Sequence, residues 1–392
     1  MTDTRVAVVG GGAVGVTAAH DLALAGADVT LFERGDLGSG SSGRAAGVLY
    51  DAYAEDVDAA LGARALERFR RLSGTNGFVF EECPYVLLAR TGDDDRAEAV
   101  RDAAERMRVH DRPVETLSGA ELGERFPTLR TDDVAVAAVA SNAGWTDPAS
   151  YVSAVAELAR DAGVEIRTDS EVAVTTTPPG VAVADEAPVT RRYEAVVVAA
   201  GAHTKRVLAD AGVAVPLKPY RVQALVSRAD YDGPMWYDAS AGVYARPHPD
   251  GLLAGDGTVP VEADPDEWER DADDWFVDDV TGTLRDRAGH DPDVARAWAG
   301  LCTATPDGDP LLGEVAPGVF VAAGWQGHGF MRAPATGEAV AAQVLGAETA
   351  TGIEQFTPDR FDGDETFAIR EGMTVETDGR ENGTDSRDNG TD

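Results

Sequence analysis

Lysine is nearly missing from this 392-residue chain: Lys205 and Lys218 are the only two, and every other basic side chain is arginine. Cysteine is as scarce. Cys83 and Cys302 stand alone, too few for a disulfide framework or a cysteine metal cluster. No run of about 18 apolar residues occurs, so no membrane-spanning helix is expected. Positive charge is outnumbered, with 34 basic against 69 acidic side chains and a net charge of −35. Such a field repels phosphate backbones and anionic lipid surfaces, which excludes unaided nucleic-acid binding and membrane adhesion. The apolar stretch Val6 to Val9 leads into glycines rather than a cleavage site, and the expectation is a soluble, cytoplasmic protein.

What is present is globular. Hydrophobic residues make up 43% of the chain, and the length suits two or three domains with a sizeable core. Abundant carboxylate with almost no lysine resembles proteins of salt-loaded archaeal cytoplasm, where bound water and cations screen the repulsion. A haloarchaeal source is therefore expected, with folding that weakens below molar salt.

Val6 to Val9 reads as a buried strand, Ala13 to Leu24 as a helix and Asp28 to Glu33 as a second strand, the opening of a doubly wound sheet. Ser150 to Ala162 reads as an amphipathic helix followed by the strand Val164 to Arg167. Tyr193 to Ala200 and Val319 to Ala323 read as further buried strands, and Ala335 to Leu345 as a helix. A charged helix is expected from Asp94 to Arg108. Val222 to Trp298 alternates polar and apolar residues, as antiparallel strands do. One domain is expected from residues 1–78, 144–218 and 299–362, and a second from the inserts 79–143 and 219–298. The acidic tail 371–392 carries no apolar periodicity and reads as disordered; its sequons at Asn382 and Asn389 read as accidental.

The strongest local motif is VAVVGGGAVG, in which Gly10, Gly12 and Gly15 form G-x-G-x-x-G. Gly10 permits the tight turn, Gly12 lets backbone approach a pyrophosphate, and Gly15 lets the helix pack close. Ala13 and Val14 open the helix whose unpaired N–H groups face the phosphates. Glu33, ending the second strand, is placed to accept from an adenosine ribose. The small-residue run GSGSSGRAAG from Gly38 to Gly47 then favours FAD over NAD, because a chain of small residues can lie beneath the flavin end. Ser41 and Ser42 suit phosphate oxygens. Arg44 suits the ring or its phosphates. As a bare loop the run would be unremarkable.

Together with AVVVAAGAHT (Ala195 to Thr204), GVYARPHPDGLLAGDGT (Gly242 to Thr258), WAGLCTATPDGDPLLG (Trp298 to Gly313) and AAGWQGHGFMRAPATGE (Ala322 to Glu338), the chain resembles the D-amino acid oxidase superfamily of FAD-dependent oxidoreductases, nearest the glycine oxidase and sarcosine oxidase branch. The resemblance implies an α/β fold. A Rossmann-like FAD domain of the p-hydroxybenzoate-hydroxylase-like type would carry an inserted substrate domain with a mixed or antiparallel sheet. It implies non-covalent FAD contacted by Arg34, Ala45, Ala46, Gly47, Val172, Ala200, Gly201 and Gly324, besides the residues above. Backbone N–H groups of Gly327, His328, Gly329, Phe330 and Met331 would meet the flavin's pyrimidine edge. The activity implied is oxidation of a small amine or amino acid at its carbon–nitrogen bond, by hydride transfer to flavin N5, with O₂ or another acceptor taking the electrons. The same fold admits a 2-hydroxy-acid or glycerol-phosphate dehydrogenase, or an FAD-binding electron-transfer or assembly protein with little turnover. The oligomeric state is not legible.

The catalytic set implied is His328, Tyr244, Arg246 and Arg332. Tyr244 and Arg246 share one face of a strand by the two-residue period, and Arg246 could pair bidentately with a carboxylate or sit in a salt bridge of this Asp-rich chain. Two departures stand out. Cys302 occupies the place where the glycine-oxidase pattern carries a carboxylate-binding arginine, leaving Arg246 and Arg332 as replacements. Leu253 and Met331 occupy places where sarcosine oxidases carry lysines, one of which activates oxygen. The attachment cysteine of that branch falls at Gly300.

Overall fold

The computed structural model describes residues 4–52, 56–184, 190–255, 257–289, 291–349 and 351–370. The expected disordered tail, with Asn382 and Asn389, lies outside the described residues. Strand β1 (Arg5–Val9) is buried from Val6 onward, as an apolar run must be when helices cover both faces of a parallel sheet. It pairs in parallel with β2 (Asp28–Phe32) on one side and with Ala195–Val198 on the other. The six-stranded sheet runs in the order Leu311–Ala316, Val319–Ala323, Ala195–Val198, β1, β2, Glu165–Arg167. Of its pairs, Leu311–Ala316 with Val319–Ala323 is antiparallel.

Helix α1 (Ala13–Leu24) crosses from β1 to β2 and packs on the helices Pro148–Asp161 and Gly329–Val344. Its contact with the last of these is close: a Cβ on Gly337 would lie 2.6 Å from the Thr17 side chain. Thr17 in turn shares a 2.9 Å hydrogen bond with the buried Tyr151 hydroxyl. An aromatic nest of Phe69, Phe78, Tyr151 and Phe330 fills the core behind, with Phe330 centred 5.7 Å from Phe69 and 5.6 Å from Tyr151.

The second large sheet has nine strands. Its path is Val259–Glu262, Lys218–Arg228, Gly251–Gly255, Val243–His248, Met235–Asp238, Tyr85–Arg90, Val134–Ala140 and Val114–Leu117, with Asp293–Ala304 also paired to Lys218–Arg228. Met235–Asp238 and Tyr85–Arg90 run parallel and the other pairs antiparallel. A small sheet of Val48–Tyr50, Ala143–Thr146 and Phe80–Glu82 lies against its apolar face, with Tyr50, Trp145 and Tyr244 in one cluster. Opposite, the helices Gly119–Arg125 and Asp274–Ala288 cover the other face.

Three elements differ from expectation. Helix α2 (Asp56–Leu72) was not anticipated. Its buried Leu61, Ala65, Leu66 and Phe69 are separated by charged residues, and packing on the last helix sustains it. Within Val222 to Trp298 a helix, Asp274–Ala288, interrupts the strands; Phe276, Val280 and Leu284 are its buried stripe, a four-residue spacing that strand-like alternation obscured. The last helix starts at Gly329 rather than after Pro334. Proline costs one hydrogen bond there, offset by burial of Phe330, Met331 and Ala333.

Candidate active site

The glycine turn between β1 and α1 is built for backbone approach. Gly10 has φ +113°, and a Cβ there would lie 2.4 Å from the Ala199 carbonyl oxygen, which lies just ahead of Ala200 and Gly201. A Cβ on Gly15 would lie 1.9 Å from the Gly10 oxygen, so only glycine lets the helix sit this near its strand. Gly12 caps α1 without a side chain, and the Ser42 hydroxyl takes up the role by accepting from Ala13 N at 2.9 Å. First-turn N–H groups with so small a covering are a ready anion cradle. Val14 follows in the same turn.

Glu33 projects back into this cradle. One carboxylate oxygen accepts from Gly11 N at 2.7 Å and the other from Gly35 N at 2.9 Å. Each oxygen keeps a further lone pair for a ribose hydroxyl. Ser170 N donates to the Glu33 carbonyl at 2.9 Å, which brings buried Val172 beside the same end. Arg34 turns outward instead. It is exposed, and its guanidinium bonds Asp266 at 3.0 Å, a residue also held by His203 and Arg206. These four side chains tie the 263–273 segment to the end of β2 and to the start of the helix Thr204–Asp210.

Three segments converge next to the cradle. Ser41 donates to Leu301 O at 2.6 Å, Arg44 donates to Ala299 O at 3.2 Å, and Trp298 Nε1 donates to Arg44 O at 3.1 Å. The strand carrying Trp298 to Cys302 also holds the last segment: Gly324 N donates to Thr303 Oγ1 at 3.1 Å and Gln326 N to Thr303 O at 3.0 Å. Gln326 and Gly327 have φ +46° and +87°, so the chain reverses tightly before Gly329 starts the helix. Its N-terminal N–H groups therefore open beside Ser41 to Gly47. The side chains of Phe330 and Met331 go into the core, and only their backbone is available to a ligand. Cys302 lies at this turn, its sulfur 3.9 Å from where a Gly327 Cβ would be.

His328 caps that helix and is 8% exposed. Burial, and then the Arg332 guanidinium, push its pKa down to about 3, so the ring is neutral at physiological pH. Arg332 is 5% exposed and forms an ion pair with Asp58 of α2 at 2.7 Å. Nearby, Asp309 is pushed up to about 6 by burial, then by Asp58 and Asp307. Arg246 is 2% exposed. It donates to the carbonyls of Ala46, Pro247 and Thr146 and stacks 4.8 Å from the Trp145 ring centroid; burial brings its pKa down to about 10. Arg332 is thus engaged by Asp58 and Arg246 by three carbonyls, and among the described residues no Asp or Glu lies within ion-pair distance of Arg246. Arg246 fixes the Ala45 to Gly47 turn, where a Cβ on Gly47 would meet the Thr146 oxygen at 2.1 Å. Tyr244, two residues earlier, faces the apolar cluster with Tyr50 and Trp145.

Several residues of this region had no signal in the sequence. Tyr50 and Tyr85 stack at 4.8 Å, though neither lies in a motif. Buried Asp51 pairs with Arg112 at 2.8 Å. Asp58 lies in a segment with several other acids, and Asp309 lies inside the Trp298 to Gly313 motif with no role legible from it. Both lysines lie away from the converging segments: Lys218 donates to Phe367 O and Lys205 pairs with Glu262.

The cradle's donors, its ribose acceptor and the small-residue floor fit a dinucleotide with a flat ring at one end. The family model described as "DAO: FAD dependent oxidoreductase" matches residues 5–343. The chain is 30% identical to glycine oxidase of Geobacillus kaustophilus over 91% of this chain and 97% of that protein. It is 29% identical to 4-methylaminobutanoate oxidase (formaldehyde-forming) of Paenarthrobacter nicotinovorans over 92% of this chain and 46% of that longer protein. Among solved structures, L-proline dehydrogenase from P. horikoshii superposes with a TM-score of 0.83 at 27% identity, covering 92% of this chain and 98% of that one.

Proposed function

The chain belongs to the DAO family of FAD-dependent oxidoreductases, and from that premise we propose that it oxidises the carbon–nitrogen bond of a small amine or amino acid to an imine, which water then hydrolyses. The observation that carries this reading is the meeting of Ser41 to Gly47, Leu301 to Thr303 and Gly324 to Phe330 at the end of the glycine cradle. FAD, when bound, supplies the acceptor for a hydride from the carbon next to nitrogen. The large sheet bearing Tyr244 is the substrate domain in this reading.

The chain's own residues set the conditions. N–H groups at the start of Gly329–Val344 would stabilise negative charge on a bound flavin, as an oxyanion hole does. The Arg332–Asp58 pair and the Phe330 nest hold that turn rigid. A His328 held neutral does not add positive charge against an ammonium, and it does not protonate a leaving group. Hydride loss from the carbon next to nitrogen draws on the nitrogen lone pair, so the amine reacts as the free base, with the Tyr244 hydroxyl as its proposed hydrogen-bond partner. Arg246 positions the floor and does not touch the substrate.

Leu253 and Met331 are buried where sarcosine oxidases carry lysines, and Lys205 and Lys218 are engaged elsewhere. Slow reaction with O₂ and an acceptor other than O₂ follow from this. The test is an anaerobic screen of amines, amino acids and 2-hydroxy acids against the FAD-loaded protein in molar KCl. Bleaching of the yellow colour by an amine supports the reading. Bleaching by hydroxy acids alone would replace it with the dehydrogenase of that class.

A further inference from the structure

In a chain of net charge −35, an arginine with no carboxylate beside it calls for a reason. Three such arginines lie on segments packed against one another at one rim of the Ser41 to Gly47 turn, and of them only Arg44 belongs to the expected cofactor contacts. Arg44 and Arg270 both lie over the ring of Trp268, at 5.5 and 5.1 Å from its centroid. Arg296 lies over Trp298 at 4.2 Å, and the Trp298 indole N–H holds the Arg44 carbonyl. None of the three has a carboxylate within ion-pair distance among the described residues, although Glu267, Glu269 and Asp271 neighbour Trp268 and Arg270 in sequence.

The fold holds these groups together deliberately. Arg296, Trp298 and Gly300 share one face of the strand Asp293–Ala304 by its two-residue period. A Cβ on Gly300 would lie 3.2 Å from the Arg44 Cβ, so this face abuts Arg44. Ala299 N donates to Arg270 O at 2.8 Å, which seats the 263–273 segment along the strand. The ion pairs of Asp266 with Arg34 and Arg206 anchor the same segment at its other side. Arg44 and Arg270 are close enough to repel: the Arg44 pKa is lowered by burial and then by Arg270. Cations brought together against their own repulsion, and stacked on indoles that fix their planes, present N–H edges ready for an anion.

The rim also connects with the substrate side. Tyr244, Arg246 and His248 occupy alternate positions on one strand, and His248 lies within electrostatic reach of both Arg246 and Arg296. The strand that carries Tyr244 therefore leads, by way of His248, toward Arg296.

We propose that Arg44, Arg270 and Arg296, framed by Trp268 and Trp298, form a carboxylate-binding site at the rim that takes the anionic end of an amine substrate whose carboxylate lies several bonds from the oxidised nitrogen. This rests on the amine-oxidation reading. It supplies the cation that Cys302 does not, and that Arg246 and Arg332 cannot supply while they hold carbonyls and Asp58.

The test titrates the FAD-loaded protein with glutarate at constant ionic strength and follows tryptophan fluorescence. A saturable change is expected with glutarate and none with the uncharged glutaramide. The exposed double variant R270Q/R296Q should weaken glutarate at least tenfold at an unchanged thermal midpoint, and W268F should lose most of the signal. No saturable response, or equal affinity in R270Q/R296Q, overturns the site. The amine-reduction screen reads out independently: amines that reduce the flavin without glutarate binding sink this site alone, whereas glutarate binding without reduction by any amine sinks the oxidation reading.

Discussion

Replacing Asp58 with asparagine tests whether the N-terminal end of the helix Gly329–Val344 is held by a buried ion pair. Arg332 and Asp58 meet at 2.7 Å, with side chains 6% and 15% exposed. Removing one partner of a buried pair costs about 3–5 kcal/mol, because the other charge stays desolvated. The amide keeps a hydrogen-bond acceptor, so about 2–4 kcal/mol is expected at pH 5, or roughly 2–5 °C in thermal midpoint for a chain of this size. Asp309 makes the loss depend on pH. Its carboxyl is pushed up to about 6 by burial first and Asp58 next. In the native protein its ionisation above that value is opposed by Asp58. In D58N that opposition is gone, and the Asp309 carboxylate faces Arg332 instead. The deficit measured by thermal melts should therefore be larger at pH 5 than at pH 8. The double variant D58L/R332L, which removes both charges, should recover much of the loss. A D58N protein as stable as the native one, or a double variant worse than D58N, would refute the reasoning.

Glu33→Gln should weaken FAD at least tenfold in equilibrium dialysis, since the amide accepts from only one of Gly11 and Gly35 and loses its negative charge toward the ribose. Asp238→Ala should destabilise by about 3–5 kcal/mol in denaturant melts, because Asp238 is wholly buried between Arg90 and Arg287 at 2.8 Å each. His328 contributes a pH slope of known sign: with its folded pKa down to about 3 and an ordinary value near 6.5, stability is held above about pH 6.5 and lost as pH falls toward 3. His328→Gln should flatten that part of the curve in thermal melts across pH 4 to 7. The thermal midpoint should climb steeply between 0.1 and 2 M KCl, as repulsion among 69 acidic groups is screened; a flat profile would contradict the halophilic reading.

The parts of the site that were legible are those where backbone geometry dictates residue type. Gly10 and Gly15 can be recognised because nothing larger fits beside Ala199 and Gly10, and Glu33 because it ends the second strand. β1, α1 and β2 were readable from apolar periodicity for the same local reason. The roles of cations were not legible. An arginine's partner is set by tertiary packing, so nothing in the sequence distinguishes Arg246, spent on three carbonyls, from Arg296, which stacks on Trp298. Asp58 and Trp268 sit in stretches without a motif. The helix Asp274–Ala288 was hidden because its stripe of Phe276, Val280 and Leu284 is narrow and flanked by acids. Cys302 stands out in the sequence as a departure, but the arginines proposed in place of its cation come together only through the 263–273 segment lying along the strand.

The most direct measurement of the central claim is a single-turnover reaction under nitrogen. FAD-loaded protein is mixed with one equivalent of the best amine from the screen, and flavin colour and released carbonyl compound are quantified together. Oxidation at the carbon–nitrogen bond predicts one carbonyl formed per flavin bleached, at a rate that rises with pH as the free amine forms. Bleaching without carbonyl release, or full FAD loading with no bleaching by any amine, would contradict it.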